Sequence, residues 1–439
     1  MSATNSLAKR ILWGLVIGVA AAVLTLGVGY LHPATLVLMR KISTAVFDPF
    51  GQIFLRMLFF VVIPLVFASL ASGVAQLGQL SKLGPLAGRT FGLFFANMFI
   101  AVMIGLVMMN TVQPGHHLDA EARTQLMQEY GGGAEQSIAT KAAQPSMSFG
   151  TLVDMFMPRN LVGAVAGSSR DVLGDVLPLI LFAILVGAAA TQLRGKQRKR
   201  VQGALDTITE LMTRIVGYAL ELAPYAVPAM IYSVIVKVGP DVLVALSVFV
   251  VGCAVALAVH LFGTMSLWLK FLARRSPMRY FRQIETLLVT AFSTSSSNAC
   301  LPMSLAVAHD ELKLSPSTAG FVLPLGATMN MSGTALFEGC VVLFVAQTFG
   351  IELALGQQFI LMLMSVLSAV AVAGIPGGSL PMIAGLLATF GVPPEGIGII
   401  IGVDRILDMM RTTVNVGSDI VVATVVDTQM RRNESLTAP

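Results

Sequence analysis

The chain contains 439 residues, of which 55% are hydrophobic and only 12% are charged, and its mean hydropathy is +0.81. Because soluble domains carry roughly 25% charged residues, this composition excludes an ordinary soluble protein and indicates a membrane protein. The net charge is +5, but the basic residues cluster at the ends of apolar segments, which favours a role in membrane orientation over nucleic-acid binding. The three cysteines are scattered through apolar segments and imply no disulfide framework.

Apolar runs long enough to cross a bilayer recur along the whole chain. A crossing helix needs about 20 mostly apolar residues, since each residue adds roughly 1.5 Å to a hydrocarbon core near 30 Å. Eight segments meet this length: residues 11–30, 54–77, 91–109, 172–193, 211–236, 242–269, 321–349 and 397–426. The sequence therefore predicts an all-α integral membrane protein with eight transmembrane helices.

The distribution of charge predicts which side of the membrane the ends of the chain lie on. Basic residues cluster at Lys9 and Arg10, within residues 194–200 and 270–282, and at Arg431 and Arg432. Residues 111–150 contain more acidic than basic side chains and much Gly, Gln, Ser and Ala, which predicts an irregular external loop. Both termini are therefore predicted to be cytoplasmic, in a multi-pass protein of the inner (plasma) membrane, and no cleavable signal is expected.

Two further apolar regions are too short to cross, and small polar residues interrupt each of them. STSSSNACLP (residues 293–302) divides the first, and GIPGGSLP (residues 374–381) divides the second. Such short pieces favour re-entrant hairpins, in which Gly and Pro open the backbone at the tips. The backbone polar groups at each tip must then form hydrogen bonds with the protein or with water in a cavity. A hairpin followed by a long helix occurs twice, which is typical of a transporter whose site lies near the midplane. The alternative is a kinked helix in a structural bundle.

The last predicted span carries a stripe of polar residues. Asp404, Asp408, Arg411, Asn415 and Asp419 are spaced by four, three, four and four residues, so they share one face of a helix. Ionisable groups at this depth are unfavourable unless they are paired or hydrated, and they mark substrate or ion pathways. The alternative is that Asp408 and Arg411 simply neutralise each other, but this does not explain why Asn415 and Asp419 also lie in an apolar span.

Five motifs spread over nearly the whole chain form a more specific set than any single glycine-rich loop. They are IPLVFASLASGVA (63–75), the serine-rich tip, LPLGATMNMSGTALFEG (323–339), the GIPGG tip, and RTTVNV (411–416) with the following Asp419. Together they resemble the glutamate transporter family, whose wider group comprises dicarboxylate and amino acid:cation symporters. The resemblance, to the prokaryotic acidic amino acid branch, implies homotrimers with eight membrane helices, two re-entrant helical hairpins, inverted repeats and an elevator-type movement.

The resemblance also implies how the chain divides. Residues 1–110 hold the first three membrane helices, which are mostly scaffold, with the third in the transport domain. Residues 111–170 hold the external loop and the start of the fourth helix, and residues 171–238 hold scaffold helices four and five. Residues 239–430 form the transport core, and residues 431–439 form a cytoplasmic tail. Within the core, the hairpins are expected near residues 278–310 and 355–390. The transport core would slide against the scaffold.

The resemblance assigns a substrate site to the hairpin tips and the last helix. Its expected members are Ser296, Ser297, Asn298, Thr334, Gly374, Pro376, Gly377, Asp408, Arg411, Thr412 and Asn415. The first tip would offer N–H and hydroxyl groups to an α-carboxylate, which suits an anion at a helix start. Arg411 would grip a side-chain carboxylate, for which its planar fork is suited, and Asp408 would receive an ammonium. The second tip would close over the pocket as an outer lid.

The combination of Asp408 and Arg411 indicates the substrate class. A buried charge without a partner is unfavourable by several kcal/mol, enough to separate substrates by orders of magnitude. Both charges together favour an acidic amino acid, and glutamate and aspartate remain equal candidates. A C4 dicarboxylate or a neutral amino acid is the alternative within the family.

The resemblance implies coupling to Na⁺ and/or H⁺, with no other cofactor. One sodium site would use Gly326, Asn330, Asn415 and Asp419, and a second would form around Thr328, Met331 and the second hairpin, where Val372 is a mild departure from relatives. Oxygen ligands of this kind suit a small cation without choosing Na⁺ over H⁺. A third family site is expected to be absent or altered, because Asn97, Met98 and Ser332 replace its residues. The stoichiometry is then lower than three sodium ions per substrate.

Glu338 stands where some family members keep a proton-carrying glutamate. Burial beside a pocket penalises the charged form of a carboxyl group, so proton coupling is plausible for it. A neutral, hydrogen-bonded structural acid is the alternative.

Other function classes fit the sequence less well. An intramembrane serine hydrolase would need a base beside Ser295–Ser297, and no histidine falls in the spans that hold Arg411 or Asn330, nor does a Gly-x-Ser-x-Gly motif surround the serines. The protein is therefore not expected to be an enzyme. A substrate-gated channel or a sensor on the same scaffold stays open, and concentrative uptake would separate a carrier from both.

Overall fold

The computed structural model describes residues 2–80, 84–119, 121, 124–126, 157–166, 177–372 and 378–437. These residues form helices and their connections, with no strand among them. The helices of the first half are α1 (Ser2–Leu31), α2 (Pro33–Ile42), α3 (Asp48–Phe60), α4 (Val62–Leu80), α5 (Pro85–Val112), α6 (Leu161–Ala166), α7 (Leu177–Thr191) and α8 (Gly195–Val238). Those of the second half are α9 (Asp241–Ala258), α10 (Met265–Phe271), α11 (Pro277–Gln283), α12 (Glu285–Thr294), α13 (Ser297–Asp310), α14 (Pro316–Met329), α15 (Ser332–Thr348), α16 (Leu355–Ala371), α17 (Leu380–Thr389) and α18 (Ile397–Thr437). The predicted all-α class is confirmed.

Six helical segments of the described chain are long and apolar enough to cross a membrane. They are Trp13–Leu31, Pro33–Ala75, Leu86–His117, Gly195–Val238, Asp241–Phe271 and Pro316–Thr348. The two other predicted spans are not among these six segments. The structure describes the fourth predicted span only from Leu177, and α18 carries charged residues along its length. The protein is a multi-pass membrane protein, whereas the number of eight crossings stays a prediction.

The helix α8 is longer than a bilayer is thick, and its two halves differ in charge and burial. Its 44 residues span about 66 Å at 1.5 Å per residue, which is twice the hydrocarbon core. The N-terminal half is rich in charge and mostly exposed, while residues 226–236 are almost continuously buried. Only the apolar C-terminal half is therefore suited to the membrane interior.

The centre of the molecule is the broken helix formed by α14 and α15. Every residue of α15 is buried, as expected for a helix that is apolar all round. It packs against α5, α9, α16 and α18, and α18 also packs against both helices of the first hairpin. Elsewhere α8 packs against α1, α3 and α4. The division into a transport core and a scaffold stays a prediction.

The first hairpin consists of α12 and α13, which contain 10 and 14 residues. At 1.5 Å per residue they reach about 15 and 21 Å, too short to cross alone. The tip opens at Ser295, whose φ of 51° is left-handed, and Ser296 caps α13 by accepting a hydrogen bond from the Ala299 N–H at 3.3 Å. The expectation that Gly and Pro open this tip is wrong, because Pro302 lies inside α13.

The second hairpin consists of α16 and α17. The predicted tip residues Gly374, Pro376 and Gly377 lie outside the described residues. On the far side of the tip, Pro381 stands in the first turn of α17, where its missing N–H breaks no helical hydrogen bond. The described legs thus bring residues 371–372 and 378–380 towards the same end of the hairpin.

Candidate substrate and cation site

A small polar cavity lies where the first hairpin, the break between α14 and α15, α18 and the second hairpin meet. Its lining consists of Ser295, Ser297, Met331, Thr334, Val372, Gly378, Ser379, Asp408, Thr412 and Asn415. Six of these were predicted from the sequence as site residues: Ser297, Met331, Thr334, Asp408, Thr412 and Asn415. Segments more than 100 residues apart in sequence therefore converge on one polar space, as the hairpin pattern predicts.

Arg411 contacts two residues that line this cavity, Asp408 and Ser379, and is only 1% exposed. Its Nη2 donates to Asp408 Oδ1 at 2.7 Å and to Asp404 Oδ1 at 3.1 Å, and its Nη1 donates to Ser379 Oγ at 2.6 Å. The guanidinium carbon stands 4.0 Å from the centre of the Phe337 ring, a cation–π contact. Its Nε–H has no hydrogen-bond partner among the described residues. Three of its five N–H groups are thus engaged, and the Nε–H is one of the two that remain.

Asp408 lies between two arginines. One carboxylate oxygen accepts from Arg411, and the other lies 3.6 Å from Arg405 Nη1. Arg405 is 8% exposed and was not singled out from the sequence, because it falls off the stripe that begins at Asp404. The signal that could have found it is its i, i+3 spacing from Asp408, the spacing at which side chains on a helix meet.

The first tip contributes serines to the cavity, though not all three predicted residues. Ser295 and Ser297 line the cavity, and the buried Ser295 hydroxyl has no hydrogen-bond partner among the described residues. Ser296 instead caps α13, and Asn298 is exposed. Sequence reasoning missed Ser295 as a site residue because its left-handed backbone, which turns it inward, has no local signal in a run of serines.

Asn415 and the polar residues around it hold the broken helix against α18. Asn415 Oδ1 accepts from the Gly333 N–H at 2.8 Å and the Thr334 N–H at 3.4 Å, and its amide donates to Thr334 Oγ1 at 3.2 Å. These N–H groups belong to the first turn of α15, where backbone N–H groups have no hydrogen-bond partner within the helix. Thr412 Oγ1 donates to the Asp408 carbonyl at 2.9 Å. Asn415 therefore caps α15 while facing the cavity.

Two of the other three residues predicted for the first sodium site, Gly326 and Asn330, lie against Asp419. Asn330 Nδ2 donates to Asp419 Oδ1 at 2.9 Å. The carboxylate packs against Gly326 so closely that a Cβ placed there would lie 2.5 Å from Asp419 Oδ1. Asn415, the fourth, lies one turn before Asp419, and its carbonyl accepts from Ser418 Oγ at 2.9 Å. A buried carboxylate beside backbone carbonyls at a helix break has the oxygen chemistry that Na⁺ uses.

The second predicted sodium site is less complete. Met331 lines the cavity with Val372, but the Thr328 side chain is exposed and donates to the Leu325 carbonyl at 3.0 Å. The hairpin tip that would supply further carbonyls lies outside the described residues. This assignment therefore stays a prediction.

The residues expected to replace a third family site form neutral contacts with neighbouring polar residues. Asn97 Nδ2 donates to Asn330 Oδ1 at 2.9 Å, and Ser332 Oγ lies 3.0 Å from Ser418 Oγ. Met98 is fully buried. Asn97 Oδ1 has no hydrogen-bond partner among the described residues. The position offers neutral oxygens where a carboxylate would attract a cation more strongly.

Glu338 is fully buried in α15. Its Oε1 accepts from Ser368 Oγ of the second hairpin at 3.1 Å, and its Oε2 has no hydrogen-bond partner among the described residues. A buried carboxyl group with one unpartnered oxygen is unfavourable as an anion. The geometry accommodates a proton on Oε2.

Known proteins match almost the full length of the chain. The profile of the Sodium:dicarboxylate symporter family matches residues 7–429. The chain is 30% identical to the proton/sodium-glutamate symport protein of Bacillus caldotenax over 92% of this chain and 90% of the relative. It is 31% identical to the proton/glutamate-aspartate symporter of Escherichia coli (strain K12) over 84% and 82%, and 28% identical to the C4-dicarboxylate transport protein of Bacillus subtilis (strain 168) over 88% of each. The chain belongs to the sodium:dicarboxylate symporter family, whose members are transporters and not enzymes.

Proposed function

We propose that the protein is a secondary symporter that takes up the acidic amino acids glutamate or aspartate, coupled to Na⁺ and/or H⁺. Two of the relatives named above are glutamate or glutamate-aspartate symporters coupled to these cations. The observation that carries the proposal is the buried guanidinium of Arg411 beside a polar cavity that Asp408 lines. A charge held so deep in an apolar protein marks a substrate or ion pathway.

The cavity offers a partner for each charge of an acidic amino acid. Asp408 would accept the ammonium, and the fork of Arg411 would bind the side-chain carboxylate. Ser295 and Ser297, at the start of the 14-residue helix α13, would receive the α-carboxylate with the N–H groups of that helix end. Thr334, Thr412 and Asn415 would complete the lining, and the exposed Asn298 would contribute only if the tip turned inward.

Substrate binding would change how Arg411 is held. In the structure its Nη1 donates to Ser379 of the second hairpin. A substrate carboxylate that takes one donor from Nη1 and one from Nη2 would share Nη1 with Ser379 and replace a contact of Nη2 with Asp404 or Asp408. Substrate binding at Arg411 would thus alter the contact of this residue with the second hairpin. The tip of that hairpin, with Gly374, Pro376 and Gly377, would close over the cavity.

The cations would bind beside the substrate. Gly326, Asn330, Asn415 and Asp419 would hold one Na⁺, and Thr328 and Met331 would contribute to a second. The neutral contacts of Asn97 and Ser332 support fewer than three sodium ions per substrate. Glu338 would carry a proton.

The remaining architecture is proposed on the basis of family membership. We infer eight membrane helices with two re-entrant hairpins, a homotrimer in the inner membrane, and both termini in the cytoplasm. The transport core of residues 239–430 would move as an elevator against a scaffold that includes α1 and α8. A cysteine pair engineered across the contact of α18 with α8 would block uptake if these helices slide past each other.

Concentrative uptake tests the proposed function. Purified protein in liposomes is given labelled L-aspartate and L-glutamate under an inward Na⁺ gradient or an inward H⁺ gradient, each imposed alone. A symporter accumulates label above the external concentration with at least one gradient. Equilibration without accumulation would identify a channel, and binding without flux would identify a sensor.

A further inference from the structure

The corner between α10 and α11 carries a concentrated positive charge. Residues 270–282 contain five basic side chains and no acidic one. Arg275 has a partner, since its Nη2 donates to the Leu312 carbonyl at 3.1 Å. The other four basic side chains are exposed, and none of them forms an ion pair with a carboxylate in the part of the chain that the structure describes: Lys270, Arg274, Arg279 and Arg282. Positive charge at this corner is therefore available to a ligand.

The same corner exposes large apolar side chains. Phe271 is 67% exposed, Met278 is 69% exposed and Leu272 is 39% exposed. The Lys270 ammonium lies 5.6 Å from the centre of the Phe271 ring. Cationic and large apolar side chains that lie side by side suit the boundary between lipid headgroups and acyl chains, where each kind of group finds its preferred surroundings.

The corner lies at the end of a segment that can cross the membrane. The segment Asp241–Phe271 is long and apolar enough to cross, and its 31 residues reach about 46 Å at 1.5 Å per residue. A bilayer measures about 30 Å across its hydrocarbon core and about 40–45 Å with its headgroups. A crossing segment of this length places Phe271, and the basic residues that follow it, at the level of the lipid phosphates.

The backbone of the corner is held in one shape. Arg274 has a left-handed φ of 53°, and the Arg275 N–H donates back to the Leu269 carbonyl at 2.9 Å, which ends α10. Glycine is favoured in this conformation, so the backbone alone does not explain an arginine there. Further along, the Tyr280 hydroxyl donates to the Ile420 carbonyl of α18 at 2.9 Å. The exposed cations therefore project from a support that is tied to the rest of the protein.

We propose that this corner is a binding site for anionic phospholipid. The guanidinium groups bind the lipid phosphate, for which their planar forks are suited, while Phe271 and Met278 contact the first carbons of the acyl chains. A free phosphate ion or an acidic protein segment matches the charge, but neither explains the exposed apolar side chains at the end of a crossing segment. Orientation of the chain in the membrane depends on the number of positive charges, and it requires neither those apolar side chains nor an arginine in a left-handed turn.

Native mass spectrometry of the purified full-length protein in detergent tests the proposal. The probes are dioleoyl-phosphatidylglycerol and dioleoyl-phosphatidylcholine, which share their acyl chains and differ in net headgroup charge. The wild type is expected to bind phosphatidylglycerol at least about thirtyfold more tightly than phosphatidylcholine. Each basic side chain near an anionic lipid surface strengthens binding about fivefold, so the double variant Arg279→Gln/Arg282→Gln is expected to bind phosphatidylglycerol about twenty-five-fold more weakly than the wild type.

Two further variants separate lipid binding from folding and from net charge. Arg274→Gly removes a cation but suits the left-handed backbone, so the affinity for phosphatidylglycerol should fall about fivefold while thermal unfolding without lipid occurs at the same or a higher temperature. Lys199→Gln/Arg200→Gln is the matched control, because it removes two exposed charges near the start of α8, about 40 Å along that helix from residue 226, where its buried stretch begins. This control should keep the affinity for phosphatidylglycerol within about twofold of the wild type.

Three results would overturn the proposal. They are equal binding of the two lipids by the wild type, an equal loss of affinity in the α8 control and in Arg279→Gln/Arg282→Gln, and displacement of phosphatidylglycerol by an excess of inorganic phosphate. The second result would show an effect of net charge alone, and the third would show a site for a free anion. None of these measurements involves transport, so their outcome is independent of the proposed function.

Discussion

Replacement of Arg411 by cysteine tests the assignment of the substrate side-chain carboxylate. The substitution Arg411→Cys removes a guanidinium that is 1% exposed and that donates to Asp404, Asp408 and Ser379. Removal of one partner from a buried, hydrogen-bonded charge pair between a protein and its ligand costs about 2–5 kcal/mol of binding free energy. Since each 1.4 kcal/mol is tenfold, affinity for aspartate is expected to fall by roughly thirtyfold to several thousandfold.

The assay is uptake of labelled aspartate and labelled serine in proteoliposomes, with thermal unfolding of the purified variant to establish that it is folded. Aspartate uptake is expected to be lost, and serine uptake to appear, because the smaller thiol leaves room without a positive charge. Arg214→Cys is the matched control, since Arg214 forms an exposed pair with Glu210 on α8 and its loss should leave both activities unchanged. Unchanged aspartate KM in a folded Arg411→Cys protein would refute the substrate site.

Three further substitutions test the cation sites. Gly326→Ala places a Cβ 2.5 Å from Asp419 Oδ1 and should displace that carboxylate, which raises the Na⁺ concentration for half-maximal uptake at least about tenfold. Gly320→Ala on the same helix is the control, because nothing lies within 4 Å of a Cβ there, and it should leave this Na⁺ concentration unchanged. Ser332→Asp supplies the carboxylate that the third site lacks, so the dependence of aspartate uptake on Na⁺ should become steeper, and an unchanged Hill coefficient would contradict the account of that site. Glu338→Gln keeps a hydrogen-bond acceptor but cannot carry a proton, so stimulation of uptake by external acidification should disappear while aspartate exchange at equal pH persists; retained stimulation would show that Glu338 is only structural.

Much of the fold could be predicted because hydropathy and length decide it. The two short hairpins and the polar stripe of α18 follow from where apolar runs are short or interrupted, whereas the break between α14 and α15, inside the predicted 321–349 span, was not predicted. Asp408, Arg411 and Asn415 were predicted for the same reason, since charge inside an apolar run is rare enough to be noticed. The six helical segments that are long and apolar enough to cross coincide with six of the eight predicted spans, whereas the number of eight crossings stays a prediction.

What the sequence did not reveal depends on backbone geometry and on side-chain direction. The left-handed turn at Ser295 is one choice among several adjacent serines, and the tertiary packing of the hairpin selects it. Arg405 lies beside the stripe rather than on it, and only the long reach of its side chain brings it to Asp408. The ring of Phe337 under Arg411 belongs to another helix, so no spacing within α18 predicts it.

Equilibrium binding of two isosteric ligands tests the central claim most directly, namely that Asp408 and Arg411 bind an amino acid with an extra negative group. L-aspartate and L-asparagine differ only in whether the side chain ends in a carboxylate or an amide. Titration of the purified protein in saturating Na⁺ is predicted to give an affinity for aspartate at least about a hundredfold higher than for asparagine, because the amide leaves the buried guanidinium without its charge partner. Equal affinity for the two ligands would contradict the account.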